Sequence, residues 1–225
     1  MDFSFLLDLF YVKTLLQGVI ITIVLALIAV LMGTLIAVIP TYFRLSKHKI
    51  LNFIGGSYVE IIRGTPLLVQ VMLIYALVKL PVMTVLGMDF GAFLLGMVAL
   101  IINSSAYASE TFRAGILSIE KGQKEAGLSL GMTEKSTMLH IIMPQAIKNI
   151  MPSLGNEFVT LIKETSIFMY LGIAELMYSA QIVKTSTYRT KEVYIVTALL
   201  YFVLTFTTSK LMSKLEKRMR KQDEK

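Results

Sequence analysis

The stretch TLLQGVIITIVLALIAVLMGTLIAVIPTYF, residues 14–43, holds no side chain that is charged at neutral pH. A helix needs about 20 apolar residues to cross the hydrocarbon core of a bilayer, so this stretch predicts a membrane-spanning helix. Two more uncharged runs follow, of 20 residues after Asp89 and of 17 residues after Glu192. The sequence therefore predicts an all-α, polytopic membrane protein.

The composition of the 225-residue chain excludes several other classes. Hydrophobic residues make up 55% of the chain and charged residues 16%, whereas soluble domains carry about 25% charged residues. Cysteine is absent, so no disulfide, thiolate metal site or cysteine nucleophile is expected. His48 and His140 lack the spacing of a zinc-binding helix, so no metal is expected.

The sequence also lacks a Gly-Lys dipeptide and therefore a phosphate-binding loop of the GxxxxGK type. Any ATP must then be bound by another chain, and no cofactor is expected here. No catalytic Ser/His/Asp set falls within the apolar runs, so the chain is not expected to be an enzyme. Its net charge of +7 fits a membrane face better than a nucleic-acid partner.

Five spans of a single domain, residues 1–225, are predicted from the apolar runs. Pro40 is expected to end the first span, and Gly64-Thr65-Pro66 to break the second, since Pro66 removes a backbone donor and disfavours helix at Thr65. The expected spans are residues 15–39, 51–80, 90–112, 152–170 and 193–209, with a polar loop over residues 113–148 and a charged tail after residue 210.

The placement of lysine and arginine predicts the orientation. Fifteen of them lie in the first loop, in the 113–148 loop and in the tail that ends at Lys225, against five in the segments on the opposite side. Because cytoplasmic segments carry an excess of Lys and Arg, the N-terminus is expected outside and the C-terminus inside. Termini on opposite sides of the membrane require an odd number of spans, and five spans satisfy this requirement.

Charged residues within the fourth span predict a polar surface at membrane depth. Glu157 and Glu164 are seven residues apart and share a helix face. A charge near a helix centre costs roughly 2.5–3.5 kcal/mol on insertion scales, so this face should meet protein or a wet cavity. Pro152 is expected to start this helix, with free amides near residues 154–156.

The third span repeats this pattern, because Asn103, Tyr107 and Glu110 fall at i, i+4 and i+7. Together the two helices could line a path for a solute. An alternative is that Glu110, Lys163 and Glu164 lie at the membrane boundary and pair with loops. The candidate solute-binding residues are Asn103, Ser104, Tyr107, Glu157 and Glu164.

The loop between the third and fourth spans predicts two short helices. Residues 121–130 form an amphipathic helix, Gly131 stands where a glycine ends such a helix, and Thr133 can cap a second helix that runs to Met143 and is bent by Pro144. Such an element could dock on a partner protein or lie on the membrane, or it could be an ordinary connection.

The same loop carries a resemblance. Glu125-Ala126-Gly127 with Gly131, followed by Ile142-Met143-Pro144, resembles the EAA signature of ABC-importer permeases. Gly127 stands where this family usually has Ala, and Met143 where it has Leu. Further blocks resemble the polar amino-acid uptake subfamily: RGTPLLVQ at 63–70, SAYASE at 105–110 and FR at 112–113, GI, SI and GQ at 115–123, LGNE at 154–157, IKETS at 162–166 and EL at 175–176.

The resemblance implies a permease subunit of an ATP-driven importer in the cell membrane of a prokaryote. Its partners would be a second permease subunit, identical or not, two cytoplasmic ATPase subunits and an extracytoplasmic amino-acid-binding protein. The coupling helix that seats in the ATPase would use Glu125, Ala126, Gly127, Gly131 and Pro144. The solute is left open among Arg, Lys or His, Gln and cystine. A second hypothesis is a self-sufficient transporter or channel with an ion path along Glu110, Glu157 and Glu164.

Overall fold

A computed structural model describes residues 1–81, 83–85 and 88–221, and almost all of them are helical. Lys225 and parts of the turn between residues 81 and 90 lie outside the described residues. The helices are α1 Leu9–Leu45, α2 Lys49–Gly64, α3 Leu67–Leu77, α4 Phe90–Leu117, α5 Lys121–Ser129, α6 Glu134–Thr137, α7 Met143–Glu164, α8 Leu176–Thr187 and α9 Thr190–Lys221. 3₁₀ turns span Ser4–Leu7 and Thr165–Leu171, a π turn spans Met138–Ile142, and strands β1 Thr84–Val85 and β2 Met88–Asp89 form a small antiparallel hairpin.

The length and apolar character of the helices confirm the predicted fold class. Within the described residues, α1, α4 and α9 are long and apolar enough to cross a membrane. Two bent pairs also qualify if each is one span: α2 with α3, bent by 104°, and the helical run from Glu134 to Leu171 with α8, bent by 52°. Together these elements give up to five spans.

The first span is longer than expected, and the prediction that Pro40 ends it is wrong. α1 continues through Pro40 to Leu45, so it exceeds the predicted 15–39 segment at both ends. Pro40 is buried, and its carbonyl lies close to Gly55 of α2. A proline is tolerated inside a membrane helix when neighbouring helices support the backbone around it, and α2 packs on α1 at this point.

The fourth span begins earlier than the predicted 152–170 segment. α7 starts at Met143 and passes through Pro152, which therefore does not start a helix. The amides of residues 154–156 lie inside α7, where helical carbonyls accept from them. The expectation of free donors there is wrong. The following segment contains α8, which Glu175 caps by accepting from the amides of Met177 and Tyr178.

Small residues set the distance between α1 and its neighbours. A Cβ built on Gly33 of α1 would lie 2.6 Å from Oγ of Ser104 in α4, and one on Gly18 would lie 2.6 Å from Oγ of Ser179 in α8. Close approach at small residues is the usual source of helix association in lipid, where the hydrophobic effect does not drive it. These contacts place α4 against the middle of α1.

We predict that Gly33→Ala lowers the thermal stability of the purified chain, because its methyl group has no room against Ser104. Overpacking of this kind costs about 1–3 kcal/mol. Gly56→Ala is the matched control, since a Cβ at Gly56 meets no atom within 4 Å and both changes bring the same gain in helix propensity. Equal melting temperatures of the two variants in detergent would contradict the close α1–α4 contact.

Candidate functional site

The break between α2 and α3 is the first element of the site. The chain bends by 104° at Thr65 and Pro66, which confirms the predicted interruption. The side-chain amide of Gln70 donates to the carbonyl of Ile62 at 2.7 Å, to the carbonyl of Thr65 at 3.1 Å and to the Thr65 hydroxyl at 2.9 Å. Gln70 thus satisfies backbone carbonyls at the break.

Asn103 of α4 completes this network from the other side. It is 3% exposed, and its Nδ2 donates to Oε1 of Gln70 at 3.0 Å. Direct solute contact by Asn103 stays a prediction; in this structure its amide supports the broken helix. Sequence reasoning missed the role of Gln70, although an isolated polar residue in the apolar run from Leu67 to Leu77 was a signal for it.

Arg63, at the end of α2, reaches across to α4. Its guanidinium carbon lies 5.1 Å from the ring centre of Tyr107, and Nη1 lies 3.9 Å from Oε2 of Glu110. Stacking of a guanidinium on an aromatic ring is favourable by roughly 0.5–1 kcal/mol at exposed sites. Arg63 thus pairs with groups of α4, whereas Glu60, about one turn before it in α2, is exposed.

Glu110 is held by several arginines. Its carboxylate is bonded to Nη1 of Arg44 at the end of α1, and Nη2 of Arg113 lies 2.7 Å from Oε1. Arg63 approaches the same group. Glu110 therefore forms a structural ion pair, and its partners lie on α1, α2 and α4 and not in the loops of the alternative.

Glu157 has different neighbours from Glu110. It is half-buried on α7 and faces the hydroxyl of Ser104, with Arg63 and Glu164 as its charged neighbours. The Ser104 hydroxyl is buried against Gly33 of α1 and makes no hydrogen bond of ordinary geometry within the described residues, although it interacts with the Glu157 carboxylate. Ser104 therefore orients Glu157 from inside the helix packing, and the half-buried carboxylate is the group that a solute can reach.

The structure thus brings four of the five predicted solute-binding residues together with Arg63. We call this set the polar cluster: Arg63, Ser104, Tyr107, Glu157 and Glu164. A cavity of about 570 Å³ lies between α4 and α7 next to the Glu110 ion pairs and is lined by Glu110, Asn149 and Ser153 among others, but not by members of the cluster. The cluster offers carboxylate acceptors and a cation within one region.

The helical loop after α4 forms the second candidate site. Gly131 has φ +82°, a left-handed conformation that glycine adopts without strain, and its amide donates to the carbonyl of Leu128 at 3.0 Å. The Thr133 hydroxyl accepts from the amide of Ser136. Both capping predictions are confirmed. Glu125 and Ala126 are exposed, and Leu130 is 82% exposed.

Gly127 has a packing reason to differ from the Ala that the resemblance led us to expect. A Cβ at this position would lie 2.8 Å from Cγ2 of Thr137 and 2.9 Å from Cδ1 of Ile141. The second helix does not end at Met143 as predicted, because the π turn joins it to α7 without a gap. Pro144 follows the π turn and lies within the first two positions of α7; it has no amide to donate to the preceding turn, and the π turn stands where that bond is missing.

Comparisons with known proteins identify relatives over nearly the whole chain. The family described as binding-protein-dependent transport system inner membrane component matches residues 29–221. The probable glutamine ABC transporter permease protein GlnM of Bacillus subtilis is 41% identical over 98% of this chain and 95% of its own length. The glutamine transport system permease protein GlnP of Escherichia coli K12 is 34% identical over 93% of this chain and 94% of its own.

Two solved structures are also similar to this chain over nearly its whole length. A crystal structure of an amino acid ABC transporter with histidines is 42% identical, covers 97% of this chain and all of its own, and has a TM-score of 0.86. The methionine ABC transporter MetNI in an inward-facing conformation, at 17% identity, covers 97% of this chain and 99% of its own with a TM-score of 0.72. The second similarity shows the shared fold.

We predict that Gln70→Leu destabilises the chain, because the carbonyls at the break and the Asn103 amide lose their partner. Leaving a buried polar group unsatisfied costs about 1–3 kcal/mol. Gln17→Leu, at an exposed position of α1, is the control. The melting temperature in detergent should fall for Gln70→Leu alone; an equal fall in both variants would show that the network at the break is unimportant.

Proposed function

The chain belongs to the family of binding-protein-dependent transport system inner membrane components, and from this membership we propose its part in transport. It is the permease subunit of an ABC importer for polar amino acids. The observation that supports the proposal beyond family membership is the polar cluster, in which Glu157 faces the Ser104 hydroxyl and has Arg63 as a charged neighbour.

We infer a complex of two permease subunits, two ATPase subunits and a substrate-binding protein. The family description itself implies a binding protein, and this sequence has no phosphate-binding loop of its own. Arg63 and Tyr107 of the polar cluster are exposed in one chain, and a second permease subunit would close a path around them. The excess of Lys and Arg on one side supports an inner membrane placement with the N-terminus outside.

The loop around α5 is our candidate for the ATPase contact. α5 is exposed apart from Gly127, and the exposed Leu130 next to it gives a partner an apolar residue to bury. The Gly131 turn and the packing of Gly127 on Thr137 hold α5 rigidly against the next helix. A rigid element can transmit a rigid-body movement of the ATPase into α7.

We predict that Gly131→Val and Glu125→Lys reduce ATPase association and substrate-stimulated ATP hydrolysis while membrane insertion persists. A β-branched residue in the left-handed backbone conformation of Gly131 destabilises the turn by at least about 1 kcal/mol. Gly122→Ala is the control, because a Cβ there meets no atom within 4 Å. Binding of the ATPase measured by pull-down from membranes should fall for the first two variants only. Unchanged hydrolysis in both would contradict docking at this loop.

For the solute we propose binding of an α-amino acid at the polar cluster. The ammonium group of a zwitterion needs acceptors, which Glu157 and Glu164 provide, and its carboxylate needs donors, which the exposed Arg63 guanidinium provides. Tyr107 holds the Arg63 guanidinium by its ring. In this proposal Asn103 supports the site indirectly, because its amide donates to Gln70 at the helix break.

Glutamine is the first solute to test, because two of the relatives are named as glutamine permeases. The side-chain amide of glutamine is uncharged. The cluster therefore needs no charged residue besides those that bind the ammonium and carboxylate groups. Arginine, lysine, histidine and cystine serve as competitors in the same assay. A path for ions along Glu110, Glu157 and Glu164 is disfavoured, since Arg44 and Arg113 hold the Glu110 carboxylate.

We predict that Glu157→Gln lowers uptake of the transported amino acid by at least about tenfold, as expected from the loss of one hydrogen bond to a charged group. Glu192→Gln, at the far end of the chain and still able to accept from the Asp2 amide, is the control. Uptake is measured in liposomes with the ATPase and the binding protein, alongside basal ATP hydrolysis.

Assembly and basal hydrolysis should survive in Glu157→Gln. If uptake were unchanged, or if Glu157→Gln failed to assemble while Glu157→Asp assembled and transported normally, the cluster would be structural. Transport by the purified chain without ATPase or ATP would instead establish the self-sufficient transporter.

A further inference from the structure

An apolar groove of about 560 Å³ lies along one end of α1, where the helix leads into a basic segment. Its walls are side chains between Val38 and Ser46 of α1, Phe112 and Ile116 of α4, and side chains between Met143 and Leu154 of α7. The groove is open to the surroundings, because Tyr42 is 66% exposed and Ile147 is 45% exposed.

On α4, the groove lies away from Asn103, Tyr107 and Glu110. At about 100° per residue, Phe112 and Ile116 lie about 180° and 220° around α4 from Asn103, whereas Tyr107 and Glu110 lie within about 40° of it. On α7, the wall residue Ile150 shares a face with Glu157, but it lies about 10 Å nearer the Met143 end of the helix. The exposed side of the groove, at Tyr42 and Ile147, is the part that lipid can reach.

The length of the groove corresponds to one leaflet. At 1.5 Å per residue, the α1 wall is about 12 Å long and the α7 wall about 17 Å long. Half of a hydrocarbon core is about 15 Å thick. A lipid acyl chain lying parallel to α1 and α7 would thus fill the groove from its deep end at Val38 and Leu154 to the surface at Ser46 and Met143.

The surface end of the groove is positively charged. Lys47, His48 and Lys49 directly follow the wall residue Ser46 and are exposed, and Lys135 precedes the wall residue Met138 by one helical turn. Glu134 also lies here, but Lys47 is 4.0 Å and Lys124 3.5 Å from its carboxylate. The surplus positive charge stands where the headgroup of a lipid in the groove would lie.

We propose that this groove is a binding site for an anionic phospholipid. Its acyl chain packs between α1, α4 and α7, and its phosphate is bound by Lys47, Lys49 and Lys135. Basic side chains next to an apolar cleft between membrane helices select anionic over zwitterionic headgroups. The site is independent of the transported solute.

The experiment measures lipid retention by native mass spectrometry. The assembled transporter is equilibrated in micelles with equal amounts of phosphatidylglycerol and phosphatidylcholine of the same acyl chains. The natural sequence should retain phosphatidylglycerol preferentially. In Lys47→Gln/Lys49→Gln/Lys135→Gln this preference should fall at least about tenfold, since each lysine near the surface contributes roughly fivefold.

The control variant Lys13→Gln/Lys79→Gln/Lys191→Gln removes three charges that lie outside the groove, and it should keep the preference. Ile147→Trp fills the groove from α7 and should lower retention of the lipid with the complex still assembled. An equal loss in the control variant, equal retention of both lipids by the natural sequence, or loss of the permease dimer in Ile147→Trp would overturn the proposal. The last result would assign the groove to a second copy of the chain.

Discussion

The interior of a bilayer supplies no hydrogen-bond partners, so a helix that breaks there must have its freed carbonyls satisfied by the protein. The break between α2 and α3 meets this constraint through Gln70, whose amide bonds the carbonyls of Ile62 and Thr65. Asn103 fixes Gln70 from α4. Because this network fixes the end of α2 against α4, Arg63 reaches Tyr107 and Glu110, and the rest of the polar cluster is built around that position.

Close helix approach supplies the second condition for the cluster. The contact of Gly33 with Ser104 brings α4 onto α1, and a Cβ on Gly115 of α4 would lie 2.4 Å from Cγ1 of Ile150 in α7. With α7 so near, Glu157 faces Ser104. A larger residue at either glycine would separate the helices and widen the gap that the solute is proposed to enter.

The buried and half-buried carboxylates of the helices divide into two groups by their partners. Glu110 is held by Arg44 and Arg113, and Glu175 is fully buried, caps α8 and accepts from the Tyr201 hydroxyl at 3.0 Å. Their bonding is complete, and both join helices. Glu157 forms no ion pair within the described residues, which is why the solute site is placed at its carboxylate. The apolar groove behind α4 has the opposite character, and its basic rim suits lipid.

The sequence by itself determined the membrane class, the break at Pro66, the Gly131 turn and the family, because charge-free runs, proline and glycine act through local backbone physics and solvation. It also grouped Glu157 with Glu164, since helical spacing is local. Only the tertiary structure decided that α1 passes through Pro40 and α7 through Pro152, because neighbouring helices support the backbone there. Likewise, whether a carboxylate is engaged, as in Glu110, or open, as in Glu157, depends on arginines and hydroxyls that packing brings from other helices.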